Sequence, residues 1–261
     1  MAVTLDQTIA QKQHTFLSRL LANQTFWVVI AVILACLFLS FATDSFATSK
    51  NLFNITRNVT FVAIVALGMT FVIITGGIDL SVGAVVGFTT VVVALLINAG
   101  WPIWAAVLIT LLVGVAIGLF HGFGIVKMGL PPFIITLATM TSLRGIGLLM
   151  TNGNSISINS DPFQAFSRGS LFGIPYLFWM VILVAIPSYI FLHHTRWGRY
   201  LFSVGSNAEA ARLSGVNVPR TIFMAYILSG LLAAFVGVLL ASRIGIGNPT
   251  QGDTYELQAI A

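Results

Sequence analysis

Few residues in this sequence could do chemistry, and where they stand is informative. Asp79 is the only acidic residue between Asp44 and Asp161, and it lies in Thr75-Gly76-Gly77-Ile78-Asp79-Leu80-Ser81-Val82-Gly83 between long apolar runs. A carboxylate in such a setting is expensive and ordinarily faces a protein interior or a water-filled cavity. The paired glycines permit a broken helix, a device that transporters place beside their pathways. Gly76, Gly77, Asp79 and Ser81 are therefore candidates for a translocation pathway, and in an ion-coupled transporter Asp79 would carry the proton or sodium ion. The plainer alternative is that Asp79 N-caps the helix that follows, at the cytoplasmic interface.

A second candidate lies in the polar stretch from about 194 to 219. Ser206-Asn207-Ala208-Glu209 has capping-box spacing, in which Ser206 caps the first turn and Glu209 reaches back. Gly215 suits the left-handed position just past a helix end. Glu209, Ala210, Ala211, Arg212, Leu213 and Ser214 make about two turns, too few to hold in water unaided. Their alanines would let another protein approach closely; a capped helix packed on its own chain is the equal alternative. The third candidate is Arg144, near the outer end of an apolar run that begins at Pro131-Pro132. It either snorkels to the interface or lines a polar vestibule.

Other chemistries lack their residues. No Gly-x-x-x-x-Gly-Lys-Ser/Thr, His-Glu-x-x-His or Gly-x-Ser-x-Gly occurs, so the chain carries no P-loop, zinc-protease helix or serine elbow of its own. The two glutamates, Glu209 and Glu256, are far apart, four histidines lack metal-ligand spacing, and one cysteine excludes a disulfide framework. An enzyme and a metal centre are not expected.

The elements that must position these residues follow from composition. The 261 residues include 12 basic and 7 acidic side chains, 57% are hydrophobic, and the mean hydropathy is +0.99. A soluble domain has about 25% charged residues, so lipid is the solvent for much of this chain. The net charge of +5 reflects a shortage of acids; it bears on which loops face the cytoplasm rather than on nucleic acid. A spanning helix needs about 20 apolar residues. The charge-free stretch from Leu80 to Val126 would be about 70 Å long as one helix, so it must turn once, at Asn98-Ala99-Gly100-Trp101-Pro102.

Seven spans result, at about 26–43, 58–76, 80–97, 102–126, 131–150, 173–193 and 220–241, in an all-α polytopic bundle. Residues 1–25 read as a cytoplasmic segment and 26–261 as one transmembrane domain. With the N-terminus inside, Lys12, Arg19, Lys127, Arg196, Arg199, Arg212 and Arg220 face the cytoplasm against Lys50, Arg57, Arg168 and Arg243 outside, as the positive-inside rule requires. The first span is too long, and its basic flank too extended, for a cleaved signal; Cys36 reads as a packing residue. Gly83 and Gly87, Gly114, Gly118 and Gly122, and Ala233 and Gly237 have the spacing that lets helices approach closely in lipid. From Thr254 the chain reads as the start of a further helix.

The stretch Gly68-Met-Thr-Phe-Val-Ile-Ile-Thr-Gly-Gly-Ile-Asp-Leu-Ser-Val-Gly83 resembles the signature of the permease subunits of bacterial ABC importers of the ribose, galactose and arabinose type. The likeness continues through Leu130-Pro-Pro-Phe-Ile-Ile-Thr-Leu-Ala-Thr139, Leu143-Arg-Gly145, His194-Thr-Arg-Trp-Gly-Arg-Tyr200, Gly205-Ser-Asn-Ala-Glu-Ala-Ala-Arg-Leu-Ser-Gly-Val-Asn217 and Tyr255-Glu-Leu-Gln-Ala-Ile-Ala261. It implies a fold of about ten helices with both termini cytoplasmic, two permease copies per transporter in the bacterial inner membrane, partner ATPases that bind ATP and magnesium, and a periplasmic sugar-binding protein. It further implies that the chain breaks off before the family's last helices. Glu209-Ala210-Ala211-x-x-x-Gly215 is similar to the first half of the EAA motif, whose short helix docks on the ATPase; the later Ile-x-Leu-Pro part is missing at its usual spacing. For Gly76, Gly77, Asp79 and Ser81 the resemblance implies a place near the translocation pathway without direct sugar contact. The expectation is a monosaccharide or polyol importer subunit; its rivals are an ion-coupled transporter using Asp79 and a membrane scaffold without transport.

Overall fold

The computed structural model describes residues 24–261, so the expected cytoplasmic segment 1–25 lies almost wholly outside the described residues. The described residues divide into two units, 24–54 and 55–261. In the first, α1 (Gln24–Ala42) is an apolar helix on which Cys36 is exposed rather than packed.

The long helices that follow are α2 (Ser49–Ile74), α3 (Val82–Asn98), α4 (Ile103–Val126), α5 (Pro132–Thr151), α7 (Tyr176–His194) and α10 (Val218–Ile244). Five of them are long and apolar enough to cross a membrane, and Phe26–Ala42 and Val82–Asn98 are shorter apolar helices; these correspond to the seven expected spans. The turn between α3 and α4 falls at Asn98–Pro102, with Gly100 at φ +84°. Helix α2 starts nine residues earlier than expected, because Ser49 to Thr56 continue its register.

Helix α10 is the axis of the 55–261 unit. It buries Ala225, Tyr226, Ser229, Ala233, Val236, Leu239 and Leu240 among others, while α3 is buried along most of its length. Helices apolar all round belong inside a bundle. The small residues supply the close approach: a Cβ on Gly114 would meet the Gly230 carbonyl, one on Gly118 the Tyr226 carbonyl, and one on Gly237 the Thr89 hydroxyl. The expected glycine spacing is thus used within the chain.

Some structure was not expected. Residues 156–175 form β1 (Ile156–Ser157), the amphipathic α6 (Asp161–Arg168), and the hairpin β2 (Ser170–Leu171) with β3 (Ile174–Pro175). Antiparallel β1 pairs with β4 (Ile246–Gly247). Ser160 at the N-cap, Pro162 in the first turn, Asp161 at the start and Arg168 at the end are the ordinary helix signals that marked α6. The polar loop holds two helices rather than one: α8 (Arg196–Ser206) precedes α9 (Ala208–Leu213), and the Thr195 hydroxyl caps α8 by accepting from the Gly198 N–H at 3.2 Å. The chain closes on α11 (Tyr255–Ile260), at the expected helix start.

Candidate functional site

Helix α2 breaks at Ile74. The N–H groups of Gly76 and Gly77 donate to the Ile73 and Val72 carbonyls, and Gly76 takes φ +77°, which glycine adopts without strain. A Cβ on Gly77 would stand 2.5 Å from the Tyr226 hydroxyl, so the second glycine lets the chain pass against α10.

The broken segment then presents Asp79 to three donors. Its Oδ1 accepts from the Ser81 N–H at 3.0 Å and the Ser81 hydroxyl at 2.6 Å, and its Oδ2 from the Ser229 hydroxyl of α10 at 2.9 Å. Asp79 is 1% exposed, a carboxylate enclosed in protein with charge-assisted hydrogen bonds, the condition that makes such burial tolerable. The N-cap position of α3 is Ser81, and Asp79, two positions upstream, holds that helix start by accepting from the Ser81 N–H and hydroxyl. Gly77 and Ser81 are also buried, and Gly76 is exposed. Asp79 and Ser81, with Gly77 packed beside them, form a closed polar knot, and Gly76 lies at its exposed edge.

Sequence reasoning missed the other half of the knot. Ser229 supplies a donor, the Tyr226 hydroxyl points at the Ile78 carbonyl at 3.4 Å, and the His121 ring of α4 packs edge-on against Tyr226 with centroids 5.9 Å apart. His121 is 1% exposed, and neither ring nitrogen has a hydrogen-bond partner among the described residues. Its signal was present, since it is the one histidine in the charge-free stretch from Leu80 to Val126.

The polar loop packs directly beneath this knot. A Cβ on Gly205 of α8 would collide with the Ile74 carbonyl, so α8 rests on the end of α2. The capping box is corrected. Ser206 ends α8; Asn207 caps α9 by accepting from the Ala210 N–H at 2.9 Å. Glu209 turns forward to Arg212, which donates at 2.9 and 2.5 Å. The Arg212 guanidinium holds the Glu209 carboxyl below its ordinary value. Gly215, at φ +84°, closes α9, with the Val216 N–H reaching back to the Ala211 carbonyl. Ala211 is 2% exposed and anchors α9 to its own chain, while Leu213 is 75% exposed. Ala210, Arg212, Ser214 and Glu209 are exposed too, so α9 packs one face on its own chain and leaves the other open.

Arg144 does not stand alone. It is paired with Asp253, from the segment after α10. That segment turns back into the bundle: Gly247 lies on Thr90 and Ala94, Asn248 exchanges hydrogen bonds at 3.0 Å with the Thr90 hydroxyl, Pro249 and Gln251 lie on Gly87, and Gly252 and Glu256 on Gly83. It thus follows α3 over eleven residues, about 17 Å, from near its C-terminus to its first turn. Gly83 and Gly87, expected to face another helix, instead make room for this irregular backbone.

A cavity of about 610 Å³ between α4 and α5 is lined by Val113, Ile117, Phe120, Leu130, Ile135 and Leu143, with Thr139 and Ser142 its only hydroxyls. Its lining suits apolar chains, not a polar solute.

The family model described as "Branched-chain amino acid transport system / permease component" matches residues 51–261. The ribose import permease protein of Escherichia coli strain K12 is 38% identical over 259 residues, covering 98% of this chain and 80% of the relative. That of Bacillus subtilis is 39% identical over 234 residues, covering 89% and 73%. The xylose transport system permease protein of Escherichia coli K12 is 31% identical over 301 residues, covering 91% and 77%. No solved structure matches. With a family match across most of its length, and helices of the matching kind, the chain belongs to this family of transport-system permease components: multi-pass inner-membrane proteins that act in transport and are not enzymes.

Proposed function

We propose that the chain is the membrane-spanning permease subunit of an ATP-driven, binding-protein-dependent importer of a monosaccharide or related polyol, working by alternating access. The observation that carries this reading is the likeness, over nearly the whole chain, to permeases named for ribose and xylose. The family model is named for branched-chain amino acids; the high-coverage relatives favour the sugar.

In this reading the N-terminus is cytoplasmic, so α8 and α9 face the cytoplasm. Two permease copies meet partner ATPases that hold ATP and magnesium, and a periplasmic binding protein delivers the solute. The open face of α9, with Glu209, Ala210, Arg212, Leu213, Ser214 and Gly215, docks on the ATPase; the inward face at Ala211 ties it to the chain. Closure of the ATPases moves α9 and α8 together. Because α8 bears on Ile74, the movement reaches the break at Gly76 and Gly77, and Asp79 carries it to α10 through Ser229. The knot of Gly76, Gly77, Asp79 and Ser81 thus shapes the pathway by positioning helices. The ion-coupled alternative gains no support from an Asp79 sealed from water and holding three donors.

Co-purification from the native membrane with mass identification of partners tests the class: an ATPase and a sugar-binding protein are expected, and an ion-driven carrier would bring neither. Glu209→Lys places a like charge beside Arg212 and changes the docking face. The permease should fold and insert normally but lose ATPase association and ATP-dependent uptake. Normal coupling in that variant would exclude docking through α9.

A further inference from the structure

Helix α7 is the least buried of the five helices long and apolar enough to cross a membrane. A helix of that length ends where hydrocarbon gives way to headgroups, and α7 ends in His193-His194, followed after Thr195 by α8. Helix α8 has two faces. Gly198, Leu201 and Val204, three residues apart, are buried on the chain itself, and a Cβ on Gly198 would collide with the Leu192 carbonyl. Arg196, Arg199 and Phe202 repeat at the same spacing on the opposite side and are exposed. Neither arginine meets a carboxylate among the described residues, and the sequence has no acid between Asp161 and Glu209. The exposed His193 and His194 add ring N–H groups, and the rings of Tyr189 and Phe202 flank His193 with centroids 4.4 and 6.4 Å away. Aromatic rings beside basic groups are the usual equipment of a bilayer interface. On the hydrocarbon side of this cluster lies a cavity of about 310 Å³, lined by Phe71 of α2, by Leu183, Pro187 and Phe191 of α7 and by Leu228 and Leu232 of α10. Leu183 is exposed, so the cavity opens outward. From Leu183 to Phe191 it follows α7 for about 12 Å, close to the depth of one leaflet, half of about 30 Å.

We propose that α7 and α8 form a binding site for an anionic phospholipid: Arg196 and Arg199, with His193 and His194, hold the headgroup phosphate, and an acyl chain enters the cavity below. Guanidinium forks match phosphate oxygens, and two arginines without a carboxylate leave an excess of positive charge that an anionic lipid answers. A choline headgroup would set its own cation against them, and a free anion would leave the apolar cavity unused. The neighbouring open face of α9 has no such excess, because Glu209 is paired with Arg212. Because α8 bears on the Ile74 carbonyl through Gly205, the bound lipid fixes the element that lies beneath the Asp79 knot.

The test is native mass spectrometry of the full-chain permease, purified in detergent and titrated with dioleoyl phosphatidylglycerol or dioleoyl phosphatidylcholine, two lipids with the same chains. Phosphatidylglycerol should bind more tightly by at least about tenfold, and added salt should weaken its binding to the unmodified protein. Arg196→Gln combined with Arg199→Gln should weaken it about 30-fold, with the melting temperature of the lipid-free protein in place. Arg196→Lys combined with Arg199→Lys keeps both charges and should retain most of the binding. sn-Glycerol 3-phosphate, a headgroup without chains, should bind at least about 100-fold more weakly than the lipid. Equal binding of the two lipids, binding that salt does not weaken, undiminished binding in the glutamine variant, or equal binding of sn-glycerol 3-phosphate overturns the site. So does a glutamine variant that keeps the lipid but loses its ATPase or a second permease copy, which would assign the face to a protein partner.

Discussion

Asp79 and Glu209 are both carboxylates met by donors, and the two sites behave as opposites. Asp79 is 1% exposed and joins a broken helix to α10 through two serines. The Glu209 side chain is 66% exposed and bonds only to Arg212, three residues along the same short helix. Hydrogen bonds to an enclosed charge contribute strongly because losing them strands buried groups, whereas an exposed ion pair competes with water and contributes little. The buried carboxylate therefore sets structure, and the exposed one is free for a partner.

The comparison breaks most visibly at Asp79. Asp79→Ala leaves the Ser81 and Ser229 donors stranded and should destabilise the detergent-purified permease by about 3–5 kcal/mol, seen as a large fall in melting temperature. Asp79→Asn keeps an acceptor and should cost about half as much. A melting temperature unchanged in the alanine variant would show that the knot does not hold the helices. Next comes the packing around the knot: Gly118→Val drives a side chain into the backbone of α10 and should cost about 2–3 kcal/mol, whereas valine at the exposed Gly145, where a Cβ meets nothing within 4 Å, should cost far less.

On the exposed side the effects are smaller. Asn207→Ala removes the cap of α9 and should cost about 1 kcal/mol of local helix stability, detected as faster amide exchange over 208–213. Smallest is the effect of the Glu209–Arg212 pair on stability, where Glu209→Ala should leave the melting temperature unmoved. Its signature is in titration. Because the folded value is lowered by Arg212, the pair's contribution is present above the ordinary carboxylate range and is lost as pH falls through the lowered value. With only two glutamates in the chain, carboxyl-labelled glutamate resolves Glu209 by NMR; its titration should lie below the ordinary range and return to it in Arg212→Ala.

Much of this architecture was legible in the residues. Apolar run lengths gave the spans, Gly100 and Pro102 the turn between α3 and α4, and Gly215 the end of α9, because each depends on local backbone chemistry or on bilayer thickness. Capping was harder. Ser206 and Asn207 are adjacent and both able to cap, and the choice fell to Asn207 because α8 extends through Ser206. The short α6 had good end signals but lay in a loop too polar to read as a span.

What the sequence determined alone was the class of molecule, since too few charges to cover a soluble surface leave lipid as the solvent. It also determined the candidates, because an acid between apolar runs and a capped polar loop stand out at any distance from their partners. Only the tertiary structure decided what those candidates face. Ser229 lies 150 residues from Asp79, and Asp253 lies 109 from Arg144, separations at which no periodicity or spacing carries information. The glycines show the same division: their spacing announced close approach, and the fold alone chose α10 for Gly114 and Gly118 and the returning segment for Gly83 and Gly87.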